Sequence, residues 1–301
     1  MSIDRGPIFI GGLSLSGKTQ LRIVLDAHPD ISMTRRTYMW DRFYQRFGDL
    51  GRARNLDRCL SAMLATEGIQ KLQPDPARIR SEFLDGRPTY ARLFALFHQH
   101  HAERVGKRRW GDQLGFVERF ADPIFASFPS ARMIHMIRDP RVRGDSERET
   151  TRRRRGSLGW ETARWLHSAD LAERNREVFP DRYRVVRYEQ LASRPQQTVR
   201  EVCAFLEEEY VGTMTDAIRS VTFDSQGGTG GFAAQASSGE RAFVEAHAGR
   251  ELLAFDYPMP GPTSRGNGSA PLADRRLDRA AMVAWRILGN GSRADRVRRW
   301  A

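Results

Sequence analysis

The chain has 301 residues and a net charge of +12 at pH 7, so it is long enough to bury a substantial core and strongly basic. No apolar run approaches the ~18 to 20 residues that cross a bilayer, and no signal-peptide pattern opens the sequence. Two cysteines, Cys59 and Cys203, are too few for a disulfide framework and suit a reducing cytoplasm, where we expect the protein.

Strand-like runs alternate with helix-like stretches along the chain. The strand-like runs lie at 7–10, 30–33, 131–137 and 182–188. The helix-like stretches lie around 39–66, 88–105, 116–127, 160–178 and 195–208. This alternation predicts an α/β fold, a three-layer domain of the phosphate-loop type with a mostly parallel central sheet flanked by helices. Ligands of such sheets bind outside the carboxyl ends of the strands.

A glycine-containing loop follows the first strand-like run. Residues 12–19, GLSLSGKT, fit the phosphate-loop pattern G-x-x-x-x-G-K-[ST]. Gly12 and Gly17 let the backbone turn its amides inward, and a helix beginning near Lys18 offers N–H groups and a positive dipole end to an anion. Only three lysines occur among 49 basic residues, so the lysine in the loop indicates that a compact ammonium is needed there.

A second anion site is predicted after the run at 131–137. Asp139 stands where an ATP-dependent kinase would hold magnesium, but Arg138 precedes it and Ser146 follows. A guanidinium and a hydroxyl suit a separate phosphate monoester rather than a metal. Residues 132–155 carry nine arginines against four acids, which favours a polyanionic ligand. The sequence therefore predicts two phosphate sites and no metal.

With these motifs the sequence resembles the sulfotransferases that use 3′-phosphoadenosine 5′-phosphosulfate, in particular their bacterial and tyrosylprotein-type branch. Further matches are LDAHPDI, WGD, FP, VRYEQL and LLAFDYP, and together they span most of residues 7–258. The resemblance implies transfer of a sulfuryl group from that donor to a hydroxyl or amine, which leaves adenosine 3′,5′-bisphosphate. It also implies which residues bind the donor: Ser16, Gly17, Lys18, Thr19 and Gln20 for the phosphosulfate, Arg138 and Ser146 for the 3′-phosphate, and Tyr188 for the adenine end.

Three positions depart from the family pattern. The cation that usually precedes the loop serine is replaced by Leu15, and the lysine of the family's WGDK segment is Gln113. Where tyrosylprotein-type members have a glutamate base, this chain has Arg35 and Arg36. We interpret Lys18 as the catalytic cation that replaces the missing one and stabilises charge on the bridging oxygen of the donor.

An alcohol or phenol acceptor also needs a general base. Asp112 is the first choice because WGD should lead from a strand into the cleft, although an aspartate that caps a helix is an equal alternative. The other candidates are Asp41 and one of the histidines at 98, 100 and 101, although the histidine region also suits a solvated helix end.

The acceptor itself is predicted only as a class: a small molecule, a glycan or a lipid. Arg35 and Arg36 are interpreted as a clamp for an acidic group on it, the alternative being two solvated arginines. Tyr38 and Asp41 are predicted to face the acceptor, although such an aromatic run also suits a core.

Residues 1–258 are predicted to form the α/β domain, and residues 259–301 a linker followed by a basic helical tail. The tail carries nine arginines against three aspartates, and Leu277, Ala281, Ala284 and Leu288 share one helix face. That face either packs back onto the domain, contacts a partner or lies on an anionic membrane surface. The segment 225–239, rich in glycine and serine, reads as a mobile loop.

Two other functions stay open at the level of sequence. The literal loop pattern also suits a kinase that uses ATP and magnesium, and the three departures also suit a nucleotide-binding protein without catalysis. Nucleic acid is disfavoured as a partner because neither zinc-finger spacing nor an aromatic-basic RNA-binding motif is present. Self-association is left open.

Overall fold

The computed structural model of the chain describes residues 5–142, 157–221, 237–259 and 272–289. Its five strands form one all-parallel sheet with the order β2-β3-β1-β4-β5. The strands are β1 (Ile8–Gly12), β2 (Ile31–Arg35), β3 (Arg109–Gln113), β4 (Arg132–Ile137) and β5 (Tyr183–Arg187). The predicted α/β fold with a parallel central sheet is confirmed, and the strand that leads into the phosphate loop lies at its centre.

Twelve α-helices are described in these residues. They are α1 (Lys18–Asp26), α2 (Ala53–Leu64), α3 (Glu67–Gln70), α4 (Pro76–Leu84), α5 (Tyr90–Arg104), α6 (Ala121–Ser127), α7 (Ser157–Val178), α8 (Tyr188–Ser193), α9 (Pro195–Leu206), α10 (Gly212–Ser220), α11 (Ser238–Ala254) and α12 (Leu272–Gly289). A π-helical turn at Met39–Phe43 and a 3₁₀ turn at Val117–Phe120 complete the set. The single helix-like stretch predicted at 39–66 is therefore divided into the π-helical turn and α2.

Both faces of the sheet are covered. Ile8 and Ile10 of β1 belong to a core cluster that they share with residues of α1, α9 and α10. Phe9, between them, belongs to a second cluster with residues of α2, α5 and α6. Because successive side chains of a strand point to opposite faces, this division gives the three layers that the alternating pattern predicts.

Strand β3 has a polar sequence, RWGDQ, yet four of its five residues are buried. It is buried because it pairs with β1 on one side and β2 on the other. The guanidinium of Arg109 at its start donates to the carbonyl oxygens of Gly6 and Leu206 and to the carboxylate of Glu208. Pairing and this buried ion pair fix the strand, which hydrophobic patterning alone did not reveal.

The chain divides into two compact units, one of residues 1–136 and 175–223 and one of residues 137–174 and 224–301. The boundary predicted at residue 258 stays a prediction. Residues 222–236 and 260–271, which hold most of the predicted mobile loop and linker, lie outside the described residues.

Within the second unit, α12 packs against α7. The amide of Gly159 donates to Asp278 at 3.1 Å, and the rings of Trp160 and His167 contact Trp285. Met282 and Trp285 of α12 are buried, whereas Leu277 of the face singled out in the sequence is 43% exposed. What that face contacts stays a prediction. None of the described helices has the combined length and apolar character that crossing a membrane takes.

Candidate functional site

The loop after β1 depends on two glycines. Gly12 and Gly17 have φ values of 112° and 88°, a region that favours glycine. A Cβ at position 12 would lie 2.1 Å from the carbonyl oxygen of Met136, and one at position 17 would lie 2.4 Å from a ring carbon of Tyr188. Both turns of the loop therefore require the glycines that the phosphate-loop pattern specifies.

Helix α1 begins directly after this loop. Gly17 occupies its N-cap and has no side chain that could accept from the first amides, and its first turn contains no acid. Thr19 is exposed and Gln20 partly exposed, whereas Ser16 is buried and donates to the carbonyl oxygen of Leu13 at 2.8 Å. Since the first N–H groups of a helix lack partners inside the helix, this end suits an anion.

Lys18 places its ammonium inside the loop. The side chain is only 7% exposed, and Nζ donates to the carbonyl oxygen of Gly12 at 2.8 Å and also to that of Leu13. An ammonium has three N–H donors and a compact charge, so two loop carbonyls hold it in a defined place. The loop therefore carries a fixed positive charge beside the N-terminus of α1.

A buried carboxylate that sequence reasoning missed contacts the same loop. Oε2 of Glu118 accepts from the amide of Gly12 at 3.0 Å, and Oε1 lies 3.8 Å from Nε2 of His135. His135 in turn shares a hydrogen bond of 2.6 Å with the hydroxyl of Tyr183. Burial lowers the pKa of His135, the Glu118 carboxylate raises it and the Lys18 ammonium lowers it. No pattern in the sequence connects Glu118 with the loop, because 106 residues separate it from Gly12.

Asp112, predicted as the general base, is a buried and hydrogen-bonded carboxylate rather than one exposed in an open cleft. It is 1% exposed, and its two oxygens accept from the hydroxyls of Thr34, at 3.0 Å, and Thr37. The ring of His98 stacks on Trp110 and its Nδ1 lies 3.2 Å from the Thr34 hydroxyl. The carboxylate therefore ties β3 to the segment that follows β2.

His98 beside this carboxylate is fully buried. Burial lowers its pKa to about 4, although the Asp112 carboxylate raises it in part. The imidazole is therefore neutral near pH 7, and it serves the cluster as a neutral hydrogen-bonding and stacking group.

The residues predicted to face the acceptor follow β2. Arg35 and Arg36 are exposed, Tyr38 and Asp41 are partly buried, and Arg42 stacks on the Tyr38 ring at 4.0 Å. The carboxylate of Asp41 forms an ion pair with the guanidinium of Arg119 at 3.2 Å.

The turn in this segment is closely defined. Arg36 and Tyr38 have φ values of 57° and 55°, and a Cβ at Gly68 would lie 2.0 Å from the carbonyl oxygen of Arg36. Strained backbone of this kind persists where the surroundings hold it, often at functional sites.

Arg138 directly follows β4, and its carbonyl oxygen accepts from the indole of Trp165 at 2.8 Å. Asp139, the position considered for magnesium, accepts instead from the backbone and guanidinium of Arg141, which also pairs with Glu245 of α11. Ser146 lies outside the described residues. Among those that are described, no three His, Cys, Asp or Glu side chains converge as a metal site.

Tyr188, predicted for the adenine end, is fully buried at the start of α8, with its ring against Gly17. The structure thus brings together the loop residues 16–20 and Tyr188. Asp112 pairs in register with Phe9 of β1 and Thr34 of β2, and its neighbour Gln113 pairs with Arg35. The roles assigned to these residues stay predictions.

The central parallel sheet, the loop with the phosphate-loop pattern and the lysine at the start of α1 define the class: an α/β protein of the phosphate-loop type. The sequence model described as the Sulfotransferase family matches residues 7–211, about two thirds of the chain. The chain belongs to the sulfotransferase family.

Two curated relatives are protein-tyrosine sulfotransferases. The one from Drosophila melanogaster is 27% identical over 210 residues, which are 66% of this chain and 38% of that protein. The one from Danio rerio is 26% identical over 210 residues, which are 67% of this chain and 53% of that protein. The chain therefore spans about half or less of the length of these relatives.

Solved structures share the fold. The sulfotransferase domain of the Synechococcus olefin synthase aligns with a TM-score of 0.50 and 19% identity, over 92% of this chain and 95% of that one. A sulfotransferase from Mycobacterium avium aligns with a TM-score of 0.50 and 13% identity, over 86% of this chain and 79% of that one.

Proposed function

We propose that this protein transfers the sulfuryl group of 3′-phosphoadenosine 5′-phosphosulfate to a hydroxyl or amine of an acceptor. The observation that carries the proposal is the loop, in which Gly12 and Gly17 are sterically required and Lys18 fixes a buried positive charge beside a helix N-terminus. Membership of the sulfotransferase family supports sulfuryl rather than phosphoryl transfer.

The residues of the loop suit the phosphosulfate end of this donor. Gly12 and Gly17 let the loop backbone approach Met136 and Tyr188 closely, and the amides from Gly17 to Gln20 open α1. In this proposal Arg138 and Ser146 hold the 3′-phosphate through a charge-assisted hydrogen bond and a hydroxyl. Tyr188 has its ring against Gly17, so its contribution is to support the loop beside the nucleotide.

The donor supplies a sulfuryl group that leaves its phosphate through a loose, in-line transition state, with charge building on the bridging oxygen. The residues of the chain stabilise that charge. The Lys18 ammonium is held by the carbonyl oxygens of Gly12 and Leu13, and with the first amides of α1 it acts as a preorganised cation and donor set.

The acceptor enters, in this proposal, beside the segment that follows β2. The exposed guanidinium groups of Arg35 and Arg36 suit an acceptor that carries an acidic group, and the partly buried Tyr38 follows them in the chain. A small molecule, a glycan or a lipid with such a group fits this description. Asp112 is the proposed base, and its bonds to Thr34 and Thr37 give that role a direct test, described below.

The proposal is tested by thermal stabilisation followed by a transfer assay. Adenosine 3′,5′-bisphosphate at 100 times its dissociation constant, without magnesium, should stabilise the protein by about 2.7 kcal/mol, and raise its melting temperature accordingly. ATP with magnesium should give no comparable shift. The reverse preference would contradict the proposal, as would failure to move labelled sulfate from the donor to any member of a library of anionic phenols, glycans and lipids.

A further inference from the structure

The phosphate loop is held at Gly12 from two sides by buried charged groups. The amide of Gly12 donates to Glu118 at 3.0 Å, and its carbonyl oxygen accepts from Lys18 at 2.8 Å. These bonds fix the peptide groups on either side of the Gly12 Cα, where φ is 112°. They therefore fix the direction in which the loop leaves β1.

The carboxylate of Glu118 has a place made for it. Its side chain is 1% exposed, and a Cβ at Gly11 would lie 2.5 Å from Oε2, so only glycine at that position lets the carboxylate approach. The backbone oxygen of Glu118 accepts from Asn175 at 2.9 Å, which anchors the 3₁₀ turn that presents it. Burying a carboxylate is costly unless it is paired and hydrogen-bonded, so a local need for its charge or its acceptor oxygens is implied.

The charges of Glu118 and Lys18 act on the same imidazole. His135 is completely buried, with Nε2 at 3.8 Å from Glu118 and Nδ1 bonded to Tyr183. Both Glu118 and Lys18 influence this imidazole electrostatically, one favouring and one disfavouring its proton. The carboxylate and the ammonium thus belong to one compact charge cluster around Gly12.

We propose that Glu118 is a positioning residue of the sulfuryl transfer proposed above. Its carboxylate anchors Gly12, and the carbonyl oxygen of Gly12 holds the Lys18 ammonium beside the position of the donor's bridging oxygen. Glu118 acts through the loop and does not touch the donor. The property required is an acceptor oxygen for the Gly12 amide. Glutamine retains such an oxygen, whereas methionine, of similar length, does not.

The first test needs no ligand. Hydrogen–deuterium exchange is measured on the loop peptide of residues 11–17 and, as an internal reference, on β5. Glu118→Met should speed exchange in the loop peptide at least tenfold and leave β5 unchanged, and Glu118→Gln should stay within about threefold of the parent protein. Unchanged exchange in Glu118→Met, equal acceleration along the whole chain, or equal acceleration in Glu118→Gln would overturn the proposal.

The second test asks whether Glu118 acts through Lys18. Affinity for adenosine 3′,5′-bisphosphate is measured for the parent, Lys18→Ala, Glu118→Met and the double variant. Each single change should weaken binding about tenfold, and the double variant should also be weakened only about tenfold. A hundredfold loss in the double variant would mean independent action and would overturn the proposal. If the parent itself does not bind the bisphosphate, the proposed function fails, and the exchange experiment still decides the role of Glu118.

A second variant covers the case in which Glu118→Met does not fold. Gly11→Ala places a Cβ against the carboxylate while keeping every charge, and it should speed loop exchange as Glu118→Met does. Gly212→Ala is the matched control, since a Cβ there meets nothing within 4 Å. Loop exchange in Gly11→Ala equal to that of Gly212→Ala would overturn the proposal.

Discussion

Lys18 combines three properties that a catalytic cation needs: burial, fixed partners and a place at the start of a helix. The carbonyl oxygens of Gly12 and Leu13 hold its ammonium, and α1 begins at the same residue. In a chain that otherwise uses arginine, the smaller ammonium fits where a planar guanidinium would not. In the proposed mechanism, Lys18 takes the place of the family's cation, which is Leu15 in this chain.

Lys18→Ala should reduce kcat at least a thousandfold while weakening nucleotide binding only about tenfold, since the ammonium acts mainly on charge that develops in the transition state. Steady-state kinetics with donor titration measures both quantities. Lys71→Ala, at an exposed lysine paired with Glu67, is the control and should behave as the parent. A change in KM alone after Lys18→Ala would contradict the catalytic role.

Two variants separate the proposed role of Asp112 as general base from a purely structural role. If it is the base, Asp112→Asn should lower kcat at least a hundredfold, whereas Thr37→Val, which removes one of its hydrogen-bond donors, should leave kcat within about threefold. If it only anchors the segment after β2, both variants should raise the acceptor KM and leave the donor KM unchanged. Our proposal expects the first result, and the second would transfer the role of base to another residue.

Strand β3 shows how an element of polar sequence is buried inside the sheet, between β1 and β2. Its start is held by Arg109, which donates to Gly6, Leu206 and Glu208 and is 5% exposed. Arg5 also pairs with Glu208. This cluster joins β3 to the segment before β1 and to the end of α9, and both of these lie about a hundred residues from Arg109 in the sequence.

Arg109→Met should lower the free energy of unfolding by about 3 to 5 kcal/mol, because the buried carboxylate of Glu208 then keeps only its half-exposed partner Arg5. Denaturant titration measures the loss. Arg108→Met is the control, since the neighbouring Arg108–Asp30 pair is exposed and worth under about 1 kcal/mol. Equal effects of the two variants would contradict the buried anchor.

For the whole molecule, buried histidines make stability depend on pH. The pKa of His98 falls to about 4 in the fold, against its ordinary value of 6.5, and that of His135 is lowered as well. As the pH falls below the histidine pKa of the unfolded chain, these histidines bind protons in the unfolded chain but stay neutral in the folded one. The contribution of these histidines to the free energy of unfolding should therefore be fully present above about pH 6.5 and be lost progressively towards pH 4.

His98 alone should account for about 3 kcal/mol of that decline, because folding lowers its pKa from 6.5 to about 4. Urea titrations between pH 7.5 and 4.5 measure it. His98 faces Asp112, which favours its proton, and His101, which opposes it. His98→Gln should flatten the pH dependence by this amount, and an unaltered slope would contradict the assignment.

Features that depend on neighbouring residues could be predicted from the order of the amino acids. Alternating strand-like and helix-like runs gave the parallel three-layer sheet, and the glycine spacing of residues 12–19 gave the loop, its turn at Gly17 and the helix from Lys18. Such patterns are readable because backbone sterics and side-chain periodicity act within a few residues. The family match extends this local reading over residues 7–211.

Contacts between residues that are far apart in the sequence are visible only in the folded structure. The carboxylate of Glu118 reaches Gly12 across 106 positions, and Asp112 accepts from Thr37 across 75. In α12, Met282 and Trp285 are buried, whereas Leu277 of the face singled out in the sequence is 43% exposed. Each of these groups interacts with particular partners because it is buried. Burial depends on which segments the fold brings together, so it could not be predicted from neighbouring residues.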